Sequence, residues 1–313
     1  MTKKLRCGVV GLGVISKFYL NAIEKNKNIT LISVCDLDRK KLAYFIRKDI
    51  LTYTDFNIML SESNLDFVII TLPNHLHYDY IMKAITFKVN VLCEKPLVIQ
   101  SSEAKKIFIY AKQKKVIIRT VYHRSFNKYF VNALKPLKNI GEIKYIRGTY
   151  LENIVNHSDS NWYMHREKSG GGCIIDNGTN MLDLFQKLVG KLRVVSSIID
   201  YYPNSVVEKS AIITFGFKNK SMNGTAVLEL DWVYPGEKKE LLIVGTKGSK
   251  FIDLLHGYNE FKSSLWHEYE AALNHFIHIF KNKNLLNNSD ISLISLVKEI
   301  YDSRAVKKCA SLR

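Results

Sequence analysis

The sequence has few cysteines, and their spacing argues against a disulfide framework and against a zinc site. The five cysteines, Cys7, Cys35, Cys93, Cys173 and Cys309, are odd in number, far apart and without a Cys-x-x-Cys pair. A disulfide framework or a zinc site needs pairs at short, regular spacings. Three of the five lie in or beside apolar strand-like runs, so we expect buried free thiols in a reducing cytoplasm.

Long apolar runs are also missing from the sequence. A membrane-spanning helix needs about eighteen consecutive apolar residues, and no such run exists, so we predict no membrane partner. The N-terminal residues lead into a short run broken by Gly8, Gly11 and Gly13. A signal peptide needs a longer, uninterrupted apolar region, so we expect a cytoplasmic protein.

Acidic residues are scarce relative to basic ones. There are 29 Asp and Glu against 46 Lys and Arg, which gives a formal net charge of +17. Such a charge attracts anionic partners such as nucleic acid, a nucleotide or a phosphorylated sugar. The lysines are spread along the chain, which favours an ordinary lysine-rich surface over a binding patch. Because no known nucleic-acid-binding motif accompanies them, we predict no nucleic-acid partner.

The chain is long enough for about two domains, and its 313 residues change pattern partway along. Strand and helix candidates alternate over the first 120 residues or so, which predicts a doubly wound parallel sheet. Between 192 and 254, long strand candidates follow one another without helices, which predicts an antiparallel sheet. We therefore expect one domain at 1–122 and a second at 123–313, whose last helix is a candidate to pack back on the first.

A glycine motif follows the first strand candidate. Gly11-Leu12-Gly13-Val14-Ile15-Ser16 is a GxGxxG pattern with serine in the last place. The first glycine permits a tight turn, the second lets the backbone approach a pyrophosphate, and the small last residue keeps helix and strand close. The N–H groups at the start of the helix bind phosphates. The alternative is an ordinary glycine turn, but the flanking strand and helix are what a dinucleotide site requires.

Asp36 ends the second strand candidate, twenty-three residues after Gly13. An acid about 20 residues beyond this motif binds a ribose 2′-hydroxyl, and its charge repels the 2′-phosphate of NADP. We therefore predict NAD as cofactor. Arg39, Lys40 and Lys41 follow closely and weaken that prediction, so NADP is not excluded. The alternative role for Asp36 is an N-cap of the next helix.

A further strand candidate ends in Glu94-Lys95-Pro96. Charged residues at the carboxyl end of a strand in an α/β sheet usually face a ligand crevice. Proline stops the strand and biases Lys95 toward an extended conformation. We therefore predict that Lys95 contacts the substrate. Its alternatives are a salt bridge to Glu94 or a phosphate contact.

These motifs together resemble the Gfo/Idh/MocA family of NAD(P)-dependent sugar and cyclitol oxidoreductases. The matching pieces are, in chain order, Gly8-x-x-Gly11-x-Gly13, Asp36, Thr71-Leu72-Pro73-Asn74 with His77, Glu94-Lys95-Pro96, Arg124, Gly141-Glu142-Ile143, Trp162, and Gly170-Gly171-Gly172-x-x-x-Asp176-x-Gly178-x-Asn180-x-x-Asp183. The resemblance implies an N-terminal Rossmann domain and a C-terminal α+β domain on an open antiparallel sheet. It also implies a homo-dimer or tetramer through that sheet, and hydride transfer between nicotinamide and a sugar carbon.

The resemblance also assigns the site residues. Lys95 is implied as the catalytic acid/base and Asp176 as its partner near the reacting hydroxyl, although Asp176 could instead cap the following helix. The implied cofactor contacts are Gly11, Gly13, Val14, Ile15, Asp36, Thr71, Pro73, Asn74, His77, Glu94 and Lys95. The implied substrate contacts are Lys95, Arg124, Trp162, Asp176 and Asn180. Alcohol oxidation requires a proton to leave the hydroxyl, and a neutral lysine can accept it, so no metal is needed.

The departure from the family pattern is Asn180, where histidine or sometimes tyrosine is usual. Asparagine forms hydrogen bonds but cannot carry a proton at neutral pH. Either Lys95 works alone, or His165, Tyr163 or Tyr122 supplies the proton, or activity is lost. Our first hypothesis is an NAD-dependent sugar oxidoreductase, whose substrate could be nucleotide- or phosphate-linked. The rivals are a dinucleotide- or sugar-binding protein with a degraded site, and a reductase of a non-sugar substrate such as an imine or a linear tetrapyrrole.

Overall fold

The computed structural model describes residues 4–154, 161–219, 222–258, 260–282 and 289–303. The chain divides into two compact units. The first comprises Met1–Phe126 and Lys262–Ser292, and the second comprises Asn127–Phe261 and Leu293–Arg313. Four of the cysteines are buried free thiols, as expected, and Cys309 lies outside the described residues.

The described strands and helices have the following bounds. The strands are β1 (Leu5–Val10), β2 (Ile29–Cys35), β3 (Leu51–Tyr53), β4 (Phe67–Ile70), β5 (Asn90–Glu94), β6 (Ile118–Val121), β7 (Ile143–Asn153), β8 (Leu192–Tyr201), β9 (Glu208–Lys218), β10 (Asn223–Asp231), β11 (Val233–Gly245) and β12 (Gly248–Asp253). The helices are α1 (Ser16–Lys25), α2 (Arg39–Ile46), α3 (Phe56–Glu62), α4 (His77–Thr86), α5 (Ser101–Lys114), α6 (Lys128–Leu134), α7 (Arg166–Ser169), α8 (Thr179–Val189), α9 (Leu265–Lys281) and α10 (Ser289–Asp302).

The first unit is built on a parallel sheet, which confirms the predicted doubly wound fold. Its six strands lie in the order β3-β2-β1-β4-β5-β6, and all neighbouring pairs are parallel. All four residues of β4 are buried, as expected for a central strand covered on both faces. Because the strands are parallel, the loops after β1, β2, β4 and β5 share one edge of the sheet. These loops carry the glycine motif, Asp36, Asn74 and Lys95.

Helix α9 belongs to the first compact unit, although it lies within the range 123–313 that we predicted as the second domain, with its last helix as the candidate to pack back on the first. Its aromatic side chains explain the difference. Tyr269 stacks on Phe18 of α1 with ring centroids 5.5 Å apart, and Phe276 lies 5.1 Å from Phe67 of β4. Aromatic pairs of this kind stabilise a core beyond the area that they bury. The contacts join residues more than 200 positions apart in the chain, which no local pattern reveals.

The second unit is an α+β fold on an open sheet, as predicted, but the sheet is mixed rather than wholly antiparallel. Its strand order is β12-β11-β7-β10-β9-β8. Strand β10 runs parallel to β7, and the other neighbouring pairs are antiparallel. Three consecutive strands, β8 to β10, form a meander that brings β10 back beside the first strand of the unit. A Cβ at Gly148 of β7 would lie 2.8 Å from Met181 and Phe185, so this glycine lets α8 pack closely on the sheet.

Within the described part of the chain, no helix is both long and apolar enough to cross a membrane.

Candidate active site

The glycine loop after β1 is fixed by its neighbours. Gly11 has φ +86°, and a Cβ there would lie 2.9 Å from the carbonyl oxygen of Thr71. Its N–H donates to the carbonyl oxygen of Cys35 at 2.9 Å, and the hydroxyl of Thr71 donates to its carbonyl oxygen. Glycine is therefore required at position 11 both for the turn and for the close approach of the next strand.

The space around Gly13, in contrast to that around Gly11, is open. A Cβ built there meets no heavy atom of the described chain within 4 Å. The hydroxyl of Ser16 donates to the carbonyl oxygen of Gly13 at 2.7 Å, which orders the backbone just before α1. The glycine leaves its backbone accessible at a helix N-terminus, where N–H groups bind phosphates. The loop therefore fits a dinucleotide pyrophosphate.

Asp36 ties the end of β2 to the glycine loop. Its Oδ2 accepts from the N–H of Leu12 at 2.6 Å, and its Oδ1 accepts from the N–H of Asp38 at 2.8 Å. The ammonium of Lys41 lies 3.5 Å from Oδ2. Asp38, not Asp36, caps α2 by accepting from the N–H of Lys40, so the N-cap interpretation of Asp36 was wrong.

His77 joins the two loops that carry the remaining motifs. It is fully buried, with Nδ1 2.8 Å from the carbonyl oxygen of Pro96 and Nε2 2.8 Å from that of Leu72. Burial lowers the pKa of His77, and the two carbonyl contacts oppose that shift. His77 is predicted above as a cofactor contact. These bonds indicate that it orders the loops that carry Asn74 and Lys95.

Glu94 and Lys95 are neighbours in very different surroundings. Glu94 is buried and accepts from the hydroxyl of Tyr19 at 2.7 Å. Burial raises the pKa of Glu94 to about 7, against hydrogen bonds from Tyr19 and Tyr269 and the charge of Lys95. Lys95 itself is half-buried at the carboxyl end of β5, and its bond to Pro96 is cis. The carboxyl group of Glu94 is therefore buried inside the fold, and the amine of Lys95 lies at the edge of the sheet.

Arg124, a predicted substrate contact, lies inside the first unit. It is 1% exposed, and its Nη1 donates to Glu268 at 2.8 Å and to the hydroxyl of Ser264 at 2.9 Å. The adjacent His123 contacts the same carboxylate at 2.6 Å, and burial lowers the pKa of His123 to about 4. The geometry favours a structural role for Arg124, which joins the end of β6 to α9.

In the second unit, the glycine run packs on the start of β9. The N–H groups of Gly172 and Ile174 donate to Oε1 of Glu208 at 2.7 and 3.1 Å. The hydroxyl of Tyr301 donates to the same oxygen at 2.7 Å. A Cβ at Gly172 would lie only 2.0 Å from the carbonyl oxygen of Glu208. This glycine therefore makes room for the protein's own strand.

Asp176 follows that run, in a π-helical turn at Ile174–Gly178. π-Helical turns are rare and are often found at functional sites. Asp176 is half-buried, whereas Asn180 is 1% exposed. The N-cap of α8 is Gly178, so the capping alternative for Asp176 was wrong.

The other predicted substrate contact, Trp162, is half-buried and stacks on Tyr163 with ring centroids 3.8 Å apart. Among the candidates to replace a histidine at position 180, His165 is half-buried and lies 3.5 Å from Glu167. The hydroxyl of Tyr122, in the first unit, donates to Asp290 at 2.8 Å. Tyr122 and Tyr163 thus have structural contacts of their own.

Comparison with known proteins gives the class of protein that this fold and these motifs define. A model of an oxidoreductase family with an NAD-binding Rossmann fold matches residues 5–123, and the Gfo/Idh/MocA C-terminal domain matches residues 137–250. The chain therefore belongs to the Gfo/Idh/MocA family, whose description is that of oxidoreductases with an NAD-binding Rossmann fold, and it is related to sugar and cyclitol dehydrogenases.

Individual relatives show how far the similarity extends. Levoglucosan dehydrogenase of Pseudarthrobacter phenanthrenivorans is 26% identical over 150 residues, covering 47% of this chain and 38% of that protein. Inositol 2-dehydrogenase of Salmonella typhimurium is 28% identical over 145 residues, covering 44% of this chain and 43% of that protein. The chain thus matches less than half the length of these two relatives. A scyllo-inositol dehydrogenase from Lactobacillus casei, solved with NAD(H) and scyllo-inositol, shares the fold with a TM-score of 0.81 at 17% identity, covering 96% of this chain and 97% of that one.

Proposed function

We propose that the protein is an NAD-dependent dehydrogenase or ketoreductase that acts on a secondary alcohol or ketone carbon of a sugar or cyclitol. The observation that carries the proposal is the position of Lys95. It lies half-buried at the carboxyl end of β5, on the sheet edge that also bears the glycine loop and Asp36. Ligands of open α/β sheets bind at this edge.

Lys95 is the proton-transfer group in this proposal. NAD supplies the hydride acceptor when it is bound. In alcohol oxidation, Lys95 Nζ takes the proton from the substrate hydroxyl as the hydride leaves the carbon. In ketone reduction, the ammonium donates that proton and stabilises the developing negative charge on oxygen. Asn180 cannot carry a proton, and we assign this work to Lys95.

The cofactor contacts follow from the loops of the first unit. We assign the pyrophosphate to the backbone of Gly11, Gly13, Val14 and Ile15, and a ribose hydroxyl to Asp36. The accessible backbone at Gly13 and the fixed carboxylate of Asp36 support this assignment. The charge of Asp36 supports a preference for NAD over NADP.

In the second unit we assign a catalytic role to Asp176 and a substrate contact to Trp162. The support for Asp176 is its place in a π-helical turn fixed by Glu208. The half-buried ring of Trp162 offers an apolar face of the kind that packs against sugars. The net charge of +17 is compatible with an anionic sugar substrate, such as a phosphorylated or nucleotide-linked one.

Self-association through the open sheet of the second unit and a cytoplasmic location complete the proposal. Ile198 and Ile212 pair across β8 and β9, and they are 66% and 51% exposed. Phe251 of β12 is 53% exposed. Exposed apolar side chains on one sheet support a dimer or tetramer interface. The buried free thiols support a reducing compartment.

The test is a set of initial-rate assays of NADH formation with a panel of sugars, cyclitols, sugar phosphates and nucleotide sugars. We expect turnover with at least one of them. NADH binding without turnover on any of the panel would favour a binding protein with a degraded site, the reading that Asn180 supports. If none of the panel is turned over, NADH consumption with imines and linear tetrapyrroles is assayed next, and turnover there would replace the sugar with another substrate class.

A further inference from the structure

Two tyrosine hydroxyls meet the carboxyl group of Glu94 inside the first unit. Tyr19 of α1 donates to Oε1 at 2.7 Å, and the hydroxyl of Tyr269 of α9 is a second hydrogen-bond partner. Tyr19 and Tyr269 are 0% and 1% exposed, and their rings lie edge to face with centroids 4.8 Å apart. These bonds confine the carboxyl group to one position, because breaking either would leave a polar group unsatisfied away from water.

The bond from Tyr19 to Glu94 joins two motif loops that the sheet does not join directly. Strand β4 lies between β1 and β5, so β1 and β5 share no backbone ladder. Tyr19 lies in the first turn of α1, whose first residue, Ser16, donates to the carbonyl oxygen of Gly13. Glu94 is the last residue of β5 and precedes Lys95. The Tyr19 hydroxyl therefore ties the helix that starts at the proposed pyrophosphate site to the residue beside the proposed base.

The charge of Glu94 also acts on Lys95. Opposite charges favour the ionised form of each other, and the Lys95 ammonium is one of the causes that lower the pKa of Glu94 against the effect of burial. The hydroxyl of Tyr19 stabilises the same carboxylate. A variant without this hydroxyl therefore carries less negative charge beside Lys95 at neutral pH, and its lysine should lose its proton more readily.

The neighbouring ionisable groups leave Glu94 as the charge that changes near pH 7. Cys93 precedes it on β5, and burial raises the pKa of this thiol well above its usual value. Burial lowers the pKa of His123 to about 4, so its ring is neutral at pH 7. The carboxylate of Glu268 contacts His123 at 2.6 Å and is paired with Arg124 at 2.8 Å. These groups keep the same charge at neutral pH, whereas Glu94 titrates there, with a pKa of about 7.

We propose that Tyr19 is a positioning residue for the proposed reaction, because its hydroxyl holds the carboxylate of Glu94 beside Lys95 and thereby sets the orientation and the charge of that lysine. The inference rests on the proton-transfer role of Lys95 proposed above. Tyr19 acts through Glu94 and is not itself a catalytic residue. In alcohol oxidation the lysine must be neutral to accept a proton, so the pH at which oxidation becomes fast depends on the hydroxyl of Tyr19.

The first experiment measures the charge of Lys95 without a substrate. Trace acetic anhydride labels neutral amines, and mass spectrometry of the digested protein gives the labelling rate of Lys95 at each pH. Tyr19→Phe keeps the buried ring and removes the hydroxyl, so the rate near neutral pH should rise about twofold or more. Because Glu94→Gln removes the carboxylate, adding Tyr19→Phe to it should change the rate no further. Tyr301→Phe removes a hydroxyl bond of the same 2.7 Å length to buried Glu208, and as the control it should leave the labelling of Lys95 unchanged.

The second experiment uses the intact enzyme with a sugar or cyclitol that the wild type oxidises. Tyr19→Phe should lower kcat about tenfold, because the lysine is less well placed, and should leave KM and the Kd of NADH within about twofold. The rise of kcat with pH should move to lower pH, since the lysine becomes neutral earlier. A loss of packing alone would not move the pH profile.

The outcomes separate the two proposals. Absence of wild-type turnover with every compound of the panel would overturn the proposed function, and with it the reaction that Tyr19 serves. Wild-type turnover with an unchanged labelling rate and pH profile in Tyr19→Phe would overturn only the inference about Tyr19. So would an equal rise in labelling when Tyr19→Phe is added to Glu94→Gln, since the effect would then not pass through the carboxylate. A rise that requires Glu94, together with the shifted pH profile, supports the inference.

Discussion

Two glycine motifs, one in each unit, look alike in the sequence and do different work in the structure. In the first unit, a Cβ at Gly13 would meet no described atom within 4 Å, whereas in the second a Cβ at Gly172 would lie 2.0 Å from the carbonyl oxygen of Glu208. The first glycine leaves its backbone open to a ligand, and the second admits the protein's own β9. A glycine in a family motif therefore indicates close approach, but only the structure shows what approaches.

Gly172→Ala should have the largest effect, because it forces the backbone apart and weakens two hydrogen bonds to buried Glu208. We expect a loss of about 3 kcal/mol or more in the free energy of unfolding. Chemical denaturation of the purified variant measures this. Gly13→Ala is the matched control, with an expected change within about 0.5 kcal/mol. Equal losses for the two variants would mean that the glycines do not differ in the way described.

Glu94, the buried acid beside Lys95, provides a second test, in which the free energy of unfolding is measured as a function of pH. The pKa of Glu94 is raised from 4.5 to about 7, so its contribution to stability is full below pH 4.5 and is lost as pH rises through about 7. The shift corresponds to about 3 kcal/mol. Glu94→Gln removes the titration and should therefore stabilise the protein relative to wild type at pH 8 but not at pH 4.5.

His123 has the opposite effect on the pH dependence of stability. The quantity to measure is therefore the difference in the free energy of unfolding between Glu94→Gln and wild type at each pH. The pKa of His123 is lowered from 6.5 to about 4, so its contribution is present above pH 6.5 and is lost as pH falls toward 4. Denaturation curves from pH 4.5 to 8 give the difference at each pH. A constant offset between Glu94→Gln and wild type would contradict the raised pKa of Glu94.

Among these variants, Gly13→Ala should change the free energy of unfolding least, and its main effect should be on cofactor binding. The added methyl group lies where we place the pyrophosphate, so the dissociation constant of NADH should rise about tenfold or more. NADH fluorescence titration measures the change. An unaltered dissociation constant in a fully folded variant would remove Gly13 from the cofactor site.

Local patterns were sufficient for much of the first unit. The parallel sheet follows from the alternation of strands and helices, and the strand-end motifs share one edge because parallel strands require it. The pairing of Tyr19 with Glu94 was not predictable, since the two residues are 75 positions apart and Tyr19 belongs to no motif. A buried tyrosine on α1 was the only available signal, and it also suits an ordinary core.

The second unit was predictable in its elements but not in its contacts. The strands of 192–254 were expected, yet the parallel pairing of β7 with β10 depends on how the meander folds back, which local pattern does not specify. The role of Glu208 depends on backbone groups 34 and 36 positions away. Arg124 matched a motif, but its partner Glu268 lies 144 positions on, so burial in an ion pair could not be foreseen.

The most direct test of the proposed chemistry is the turnover number of Lys95→Ala, measured with the sugar or cyclitol that the wild type oxidises. Loss of a general acid/base predicts a fall of about a hundredfold to ten-thousandfold in kcat, while NADH still binds. Lys112→Ala, on the exposed face of α5, is the control and should turn over like wild type. Near wild-type turnover of Lys95→Ala would contradict the assignment of proton transfer to this lysine.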